Sequence, residues 1–162
     1  MDKFKEYINR VNDSIHIERA LTTQSYKNKY QRENSKPLPR KTNYELATYG
    51  DAILKSILCE IYFDKVDKLT EYIKKYLTDK VLVEVIAKHY SILDYLYLDD
   101  DDINIKKDYV WDENDNHKYI ASAIEAMIAA IYLESKDYNI IKIIIKIWIE
   151  LIDNTTNNTL EI

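Results

Sequence analysis

Glycine occurs once in the 162 residues and proline twice, against average usages of about 7% and 5%. So small a supply of turn residues excludes collagen-like repeats, flexible linkers and turn-rich sandwiches or barrels, and leaves a helical chain. The single cysteine, Cys59, cannot form an internal disulfide. No charged-then-apolar leader with a small-residue cleavage site opens the sequence, so an intracellular, reducing compartment (the cytoplasm) is expected. There is no excess of positive charge either: 23 Lys and Arg stand against 28 Asp and Glu, a net charge of −5. That excludes a protein that holds nucleic acid by bulk charge alone. Long apolar runs are also missing. The longest, Ile140 to Ile152, is broken by Lys142, Lys146 and Glu150 and is too short to span a bilayer, so no membrane segment is expected.

What the chain does contain is helical periodicity. Phe4, Tyr7, Ile8, Val11, Ile15, Ile17 and Leu21 recur at three- and four-residue steps, with a break at Asn12-Asp13-Ser14. The segment from Gln24 to Asn43 is polar and basic and carries Lys36-Pro37-Leu38-Pro39, which reads as a loop. Thr42 or Asn43 is then placed to cap a helix from Tyr44 to about Phe63 whose apolar face is Leu46, Ile53, Leu54, Ile57, Leu58 and Ile61. Further helices are expected over Asp67 to Leu77, Thr78 to Tyr97, Lys118 to Leu133 and Tyr138 to Ile152. Asp99 to Asp102 reads as a solvated acidic loop, and Asp112 to His117 as a second polar loop. No internal repeat or composition shift marks a boundary. One all-α domain over residues 1–162 is expected, with its core at about 15–152 and a frayed tail at 153–162.

Two carboxylates are out of place in this pattern. The stretch from Ile120 to Leu133 is apolar or small nearly all round, and Glu125 is its only acid. Asp51 lies among Gly50, Ala52, Ile53 and Leu54. A carboxylate in apolar surroundings is costly unless paired or bound to a cation. One reading gives each acid a narrow solvent stripe on its own helix. The other lets two small-residue helices approach until both acids bind one divalent cation, since magnesium is commonly held by one or two carboxylates with water and phosphate completing its octahedron. His16, His89 and His117 have no metal-ligand spacing, and Cys59 reads as a small buried hydrophobe. Ile140, Ile141, Ile144, Ile145, Trp148 and Ile152 make the last helix apolar on more than one face, suited to core and dimer packing. Lys27, Lys29, Arg32, Lys36, Arg40 and Lys41 make the one locally basic segment, with Arg40 and Lys41 as candidate contacts to phosphate.

Three motifs carry a resemblance. Asn43-Tyr-Glu-Leu-Ala-Thr-Tyr-Gly-Asp-Ala-Ile-Leu54 resembles the ribonuclease III signature helix, whose usual form runs N-E-x-L-E-F-L-G-D-A/S. Ala121-Ser-Ala-Ile-Glu-Ala-Met-Ile-Ala-Ala-Ile-Tyr-Leu133 is similar to the family's second motif, A-D-x-x-E-A-L-I-G-A, and Ala20-Leu-Thr-Thr-Gln-Ser-Tyr26 to its A-L-T-H-K/R-S-Y/F. The resemblance implies the all-α endonuclease-domain fold, a homodimer through helices, and four acids around a metal. Matched position by position, Asp51 and Glu125 are present, whereas Ala47 and Ser122 replace two of the four acids and Tyr44 replaces a further signature glutamate. Glu45 is one residue out of register. The local pattern Leu46-Ala-Thr-Tyr-Gly-Asp-Ala52 with Ser122 to Ala126 is similar to mini ribonuclease III, a short subclass without a double-stranded-RNA-binding domain, while Ala20 to Tyr26 is closer to the full-length class. What the resemblance implies is metal-dependent hydrolysis of double-stranded or structured RNA, with Mg2+ or Mn2+ at Asp51 and Glu125 and Ser122 orienting a metal-bound water. The alternative it leaves is a catalytically degenerate fold serving as a dimerisation or RNA-scaffolding module. In either case Gly50, inside a helix where it costs roughly 1 kcal/mol relative to alanine, marks a close helix contact.

Overall fold

The computed structural model describes residues 2–103 and 117–160. Among these the regular elements are α1 (Lys3–Ile8), α2 (Ile15–Ala20), α3 (Gln24–Asn34), α4 (Tyr44–Tyr62), α5 (Leu69–Lys74), α6 (Asp79–Val81), α7 (Asp100–Ile103), α8 (Lys118–Ser135) and α9 (Tyr138–Leu160). A π-helical stretch (Leu82–Ala87) continues α6, and a 3-10 turn (Ile92–Asp94) follows it. The one extended pairing among the described residues is an isolated parallel bridge between Thr22 and Tyr97. The all-α expectation holds, and no described helix is long and apolar enough to cross a membrane.

Side-chain caps set several boundaries. Asp2 accepts from the Phe4 amide at 2.9 Å, Ser14 from Ile17 at 3.2 Å, Thr23 from Tyr26 at 3.3 Å and Thr78 from Val81 at 3.3 Å, each satisfying an amide that has no partner within its helix. Ser14 thereby starts α2 where the periodicity breaks. The Thr23 cap also overturns the expected loop from Gln24 to Asn43, because its first half is α3. That helix buries no residue, so it leaves no apolar stripe to be read. It ends at Ser35, whose φ of 50° is left-handed, and the Pro37-Leu38-Pro39 turn follows. Asn43 precedes α4 without capping it, since its side-chain amide donates instead to the Ala20 carbonyl at 3.1 Å. The expected helix from Thr78 to Tyr97 stops early, at a left-handed Ser91 (φ 51°). The tail expected to fray continues as helix to Leu160, with Asn154 to Asn158 exposed along it. In the acidic run, Asp100 opens α7 and accepts from Lys29 at 2.7 Å. Most of the second polar loop lies outside the described residues, whereas His117 is buried at the start of α8.

Helix α8 is the axis of the core. Ile120, Ala123, Ile124, Ala126, Met127, Ile128, Ala129, Ala130 and Ile131 have no exposed surface, and α2, α4, α9 and the π-helical stretch pack around them. Each fully buried large aliphatic contributes about 1.5–3 kcal/mol, and the alanines keep the neighbouring helices close. Helix α9 supplies Ile141, Ile144, Ile145, Trp148 and Ile152 to the same core, while Ile143 is exposed. A second organising centre is Ala20 to Thr23. The Asn43 amide donates to the Thr22 carbonyl (2.9 Å), the Tyr97 amide to the Leu21 carbonyl (2.9 Å), and the Thr23 hydroxyl to the Tyr97 carbonyl (2.6 Å). Four short residues thus tie the start of α4 and the chain near Tyr97 to the end of α2.

Helices α4 and α8 cross in close contact at Gly50. A β-carbon built there would stand 1.7 Å from the Glu125 carbonyl oxygen and 2.5 Å from its carbonyl carbon, which is backbone that no rotamer change can move aside. Only a residue without a β-carbon permits this crossing. Gly50→Ala is therefore expected to destabilise the protein by about 3 kcal/mol or more, beyond ordinary overpacking, despite alanine's better helix propensity. Urea denaturation checks this, and an unchanged or raised midpoint would refute it.

Candidate metal-binding cleft

The Gly50 contact places the two unusual acids. Asp51 is the next residue on α4, and Glu125 belongs to the residue of α8 whose own carbonyl meets Gly50. Both side chains line one cleft of about 750 Å³, together with Tyr44, Ala47, Thr48, Asp79, Lys118 and Ser122 among others. The structure therefore brings Asp51 and Glu125 to one cleft with the three substituted positions, Tyr44, Ala47 and Ser122. Glu45 lies outside this cleft, held by Arg19 at 2.9 Å in a neighbouring groove, as its one-residue offset on α4 requires.

Three groups at the cleft were not legible as site residues. Asp79, in the first turn of α6, faces Glu125 closely enough for its charge to act on it. In the sequence it reads as an ordinary acid following the Thr78 cap. Lys55 donates to the Asp51 carboxylate at 2.7 Å, a pairing one turn along α4 that the four-residue spacing could have signalled. Lys118 lines the cleft from the first turn of α8. Cys59 is half-buried, more open than expected, and shares a small, mostly apolar hollow with Asp51 and Lys55.

Burial pushes the Glu125 carboxyl up from the ordinary 4.5 to about 7, and the nearby charges of Asp51 and then Asp79 push the same way, against Lys55 and Lys118. Asp51, Asp79 and Glu125 thus give the cleft an acid excess that its own cations do not remove. Among the described residues no group of three or more His, Cys, Asp or Glu could hold a metal ion by itself. The donor set fits one hard cation bound through two carboxylates, with water and a phosphate oxygen supplying the remaining positions.

The basic segment splits into two kinds of residue. Arg40 is turned inward, its side chain only 20% exposed. Its Nε donates to the Thr22 hydroxyl at 2.9 Å, Nη1 pairs with Glu18 at 3.1 Å, and the guanidinium lies 4.7 Å from the Tyr97 ring centroid and 5.5 Å from that of Tyr26. Lys41 is 74% exposed, with Glu45 at 3.8 Å. Arg19, Lys27, Arg40, Lys41 and Glu45 line a groove beside the acidic cleft, and Gln24, Thr42 and Tyr44 line both.

A family model described as Ribonuclease-III-like matches residues 13–150. Among curated proteins, the chain is 29% identical over 156 residues to Ribonuclease 3 of Rickettsia bellii (strain OSU 85-389), an alignment covering 94% of this chain and 66% of that protein. It is 31% identical over 137 residues to Ribonuclease 3 of Rickettsia felis, covering 82% and 56%. With Ribonuclease 3 of Rickettsia akari the identity is 34% over 115 residues, covering 68% and 48%. The chain spans between about half and two thirds of the length of these relatives.

Two expectations follow from the cleft and its flank. Glu125 takes up a proton more readily folded than unfolded, so its contribution to stability is fully present below about pH 4.5 and is lost as pH rises through about 7. Glu125→Gln is accordingly expected to match wild type near pH 5 and to exceed it by about 1–3 kcal/mol at pH 8, measured by chemical denaturation in chelator. A pH-independent difference would remove the assignment. Arg40→Gln is expected to lower stability by about 1–3 kcal/mol, since it breaks a charged hydrogen bond and leaves Glu18 unpaired. A thermal melt superimposable on wild type would show that the inward guanidinium contributes nothing.

Proposed function

The chain belongs to the ribonuclease-III-like family, and from that membership with Asp51 and Glu125 in one cleft we propose that it is a metal-dependent endoribonuclease. It hydrolyses phosphodiesters in double-stranded or structured RNA, as a homodimer. The observation that supports this most directly is the retention of two carboxylates at a crossing that only glycine permits. A site left to decay has no reason to keep a half-buried acid whose ionisation is opposed by burial and by two neighbouring acids.

Asp51 and Glu125 are the residues that would hold Mg2+ or Mn2+. When bound, such a cation polarises a phosphoryl oxygen, acidifies bound water and stabilises the leaving oxygen. Lys55 neutralises part of the Asp51 charge from α4 itself and fixes that side chain by its 2.7 Å contact. Burial and the neighbouring acids push the Glu125 carboxyl up to about 7, so it would give up that proton on binding a cation and metal binding would strengthen as pH rises. Ser122 lies one helical turn before Glu125 in the same cleft, where its hydroxyl can orient a water. Ala47 leaves open the space that a longer side chain would fill. With fewer acids, affinity for free metal is weak and depends on substrate phosphate. Lys41 and Lys27 supply phosphate contacts in the adjoining groove, and Arg40 braces the loop that carries Lys41.

The second reading is a non-catalytic dimerisation or RNA-scaffolding module. The observation that favours it is the Lys55 ammonium on Asp51, which is how a vacated metal carboxylate would be neutralised.

One experiment separates the two. The purified protein is incubated with a long RNA duplex and Mg2+ or Mn2+, beside an Asp51→Asn, Glu125→Gln double variant. The nuclease reading expects a loss of at least about 100-fold in the variant, the scale of losing electrostatic stabilisation of developing charge. Equal background cleavage by both proteins would leave the scaffold reading.

A further inference from the structure

Tyr44 is the most exposed large hydrophobic side chain among the described residues, at 78%. Its ring makes no contact with another described ring, and its hydroxyl makes no hydrogen bond to a described residue. Its backbone carbonyl, by contrast, accepts from the Thr48 hydroxyl in the first turn of α4. The residue is fixed at its root and free at its ring. It also stands at a boundary, because it lines the Asp51–Glu125 cleft on one side and the basic groove on the other. That groove carries Arg19, Lys27, Arg40 and Lys41 against Glu45 in its lining and Glu18 behind Arg40, so its net charge is positive. A polyanion reaching from the cleft into the groove passes over Tyr44.

An exposed aromatic ring between a basic groove and a phosphodiester-cutting cleft has one evident nucleic-acid partner. In an uninterrupted duplex each base is already stacked on both faces, and a side chain meets only edges and backbone. An unpaired base, splayed out of the helix, offers a free π-face. Stacking of this kind tolerates any base, because every base has such a face. A phenol ring also loses little conformational freedom on binding, since it rotates about two bonds. Resting on the nuclease reading above, we propose that Tyr44 is a stacking platform for an unpaired nucleotide of the RNA substrate, and that this chain prefers duplexes interrupted by a bulge or loop. The phosphate following that nucleotide enters the groove toward Lys27 and Lys41, and the strand on the other side of the stacked base enters the cleft of Asp51 and Glu125.

The test uses two RNA duplexes, one perfect and one with a single unpaired 2-aminopurine, titrated with the protein in chelator so that nothing is cut. The bulged RNA is expected to bind about tenfold or more tightly than the perfect one, within the range of one base–aromatic stack, and its fluorescence to be quenched on binding. Tyr44→Trp should keep both effects. Tyr44→Ala, at a position too exposed to affect folding, should abolish the quench and bring the two affinities together. If Tyr44→Ala retains the quench and the preference, the proposal falls. If it changes only the sedimentation behaviour, Tyr44 belongs to a contact between two copies of this chain, and the proposal falls likewise. Equal binding of both RNAs by wild type, or no binding of either, overturns this proposal alone, because the nuclease reading is tested separately by cleavage of the long duplex with Mg2+ or Mn2+.

Discussion

The contact between Gly50 and the Glu125 carbonyl sets the geometry of this molecule. Two long helices cross where one of them has no side chain, and the separation is below what any β-carbon would allow. Because Asp51 follows Gly50 and Glu125 is itself the residue touched, the crossing that closes the core also brings the two acids to one cleft. Core packing and site assembly are therefore a single event. The arrangement carries a cost in helix propensity at Gly50, which the burial of the α8 aliphatic side chains offsets many times over.

Charge then divides the surface beside that crossing. Burial, and then the charges of Asp51 and Asp79, push the Glu125 carboxyl up to about 7, while a few residues away the groove of Arg19, Lys27, Arg40 and Lys41 is positive. A net charge of −5 thus hides a local polarity, an acidic cleft beside a basic groove. Helix α3 and the Pro37-Leu38-Pro39 turn exist, in this view, to present the positive half. The Ala20–Thr23 knot and the inward Arg40 hold that half in place.

Much of this was legible beforehand, for identifiable reasons. Apolar residues at three- and four-residue steps report a buried helical face, so α4, α8 and the core of α9 could be read directly. Helix α3 could not, because it buries nothing, and the helical extension from Asp153 to Leu160 carries no apolar face of its own. Asn43 looks like a cap and acts as a tether, since the Ala20 carbonyl lies 23 residues away and comes near only in the fold. Arg40 and Lys41 are adjacent and equally basic in the sequence, yet one is turned onto Tyr97 and the other into solvent.

By itself the sequence determined the helical class and the family, and it singled out Asp51, Glu125 and the one glycine, Gly50. These are local properties, written in periodicity, spacing and the rarity of one residue type. Tertiary structure alone decided that Asp79 acts on Glu125, that Tyr44 stands between an acidic cleft and a basic groove, and that Arg40 is turned onto Glu18 and Tyr97. Those facts concern residues from separate helices, and the distance between such residues depends on how the helices cross, which no pattern along one helix records.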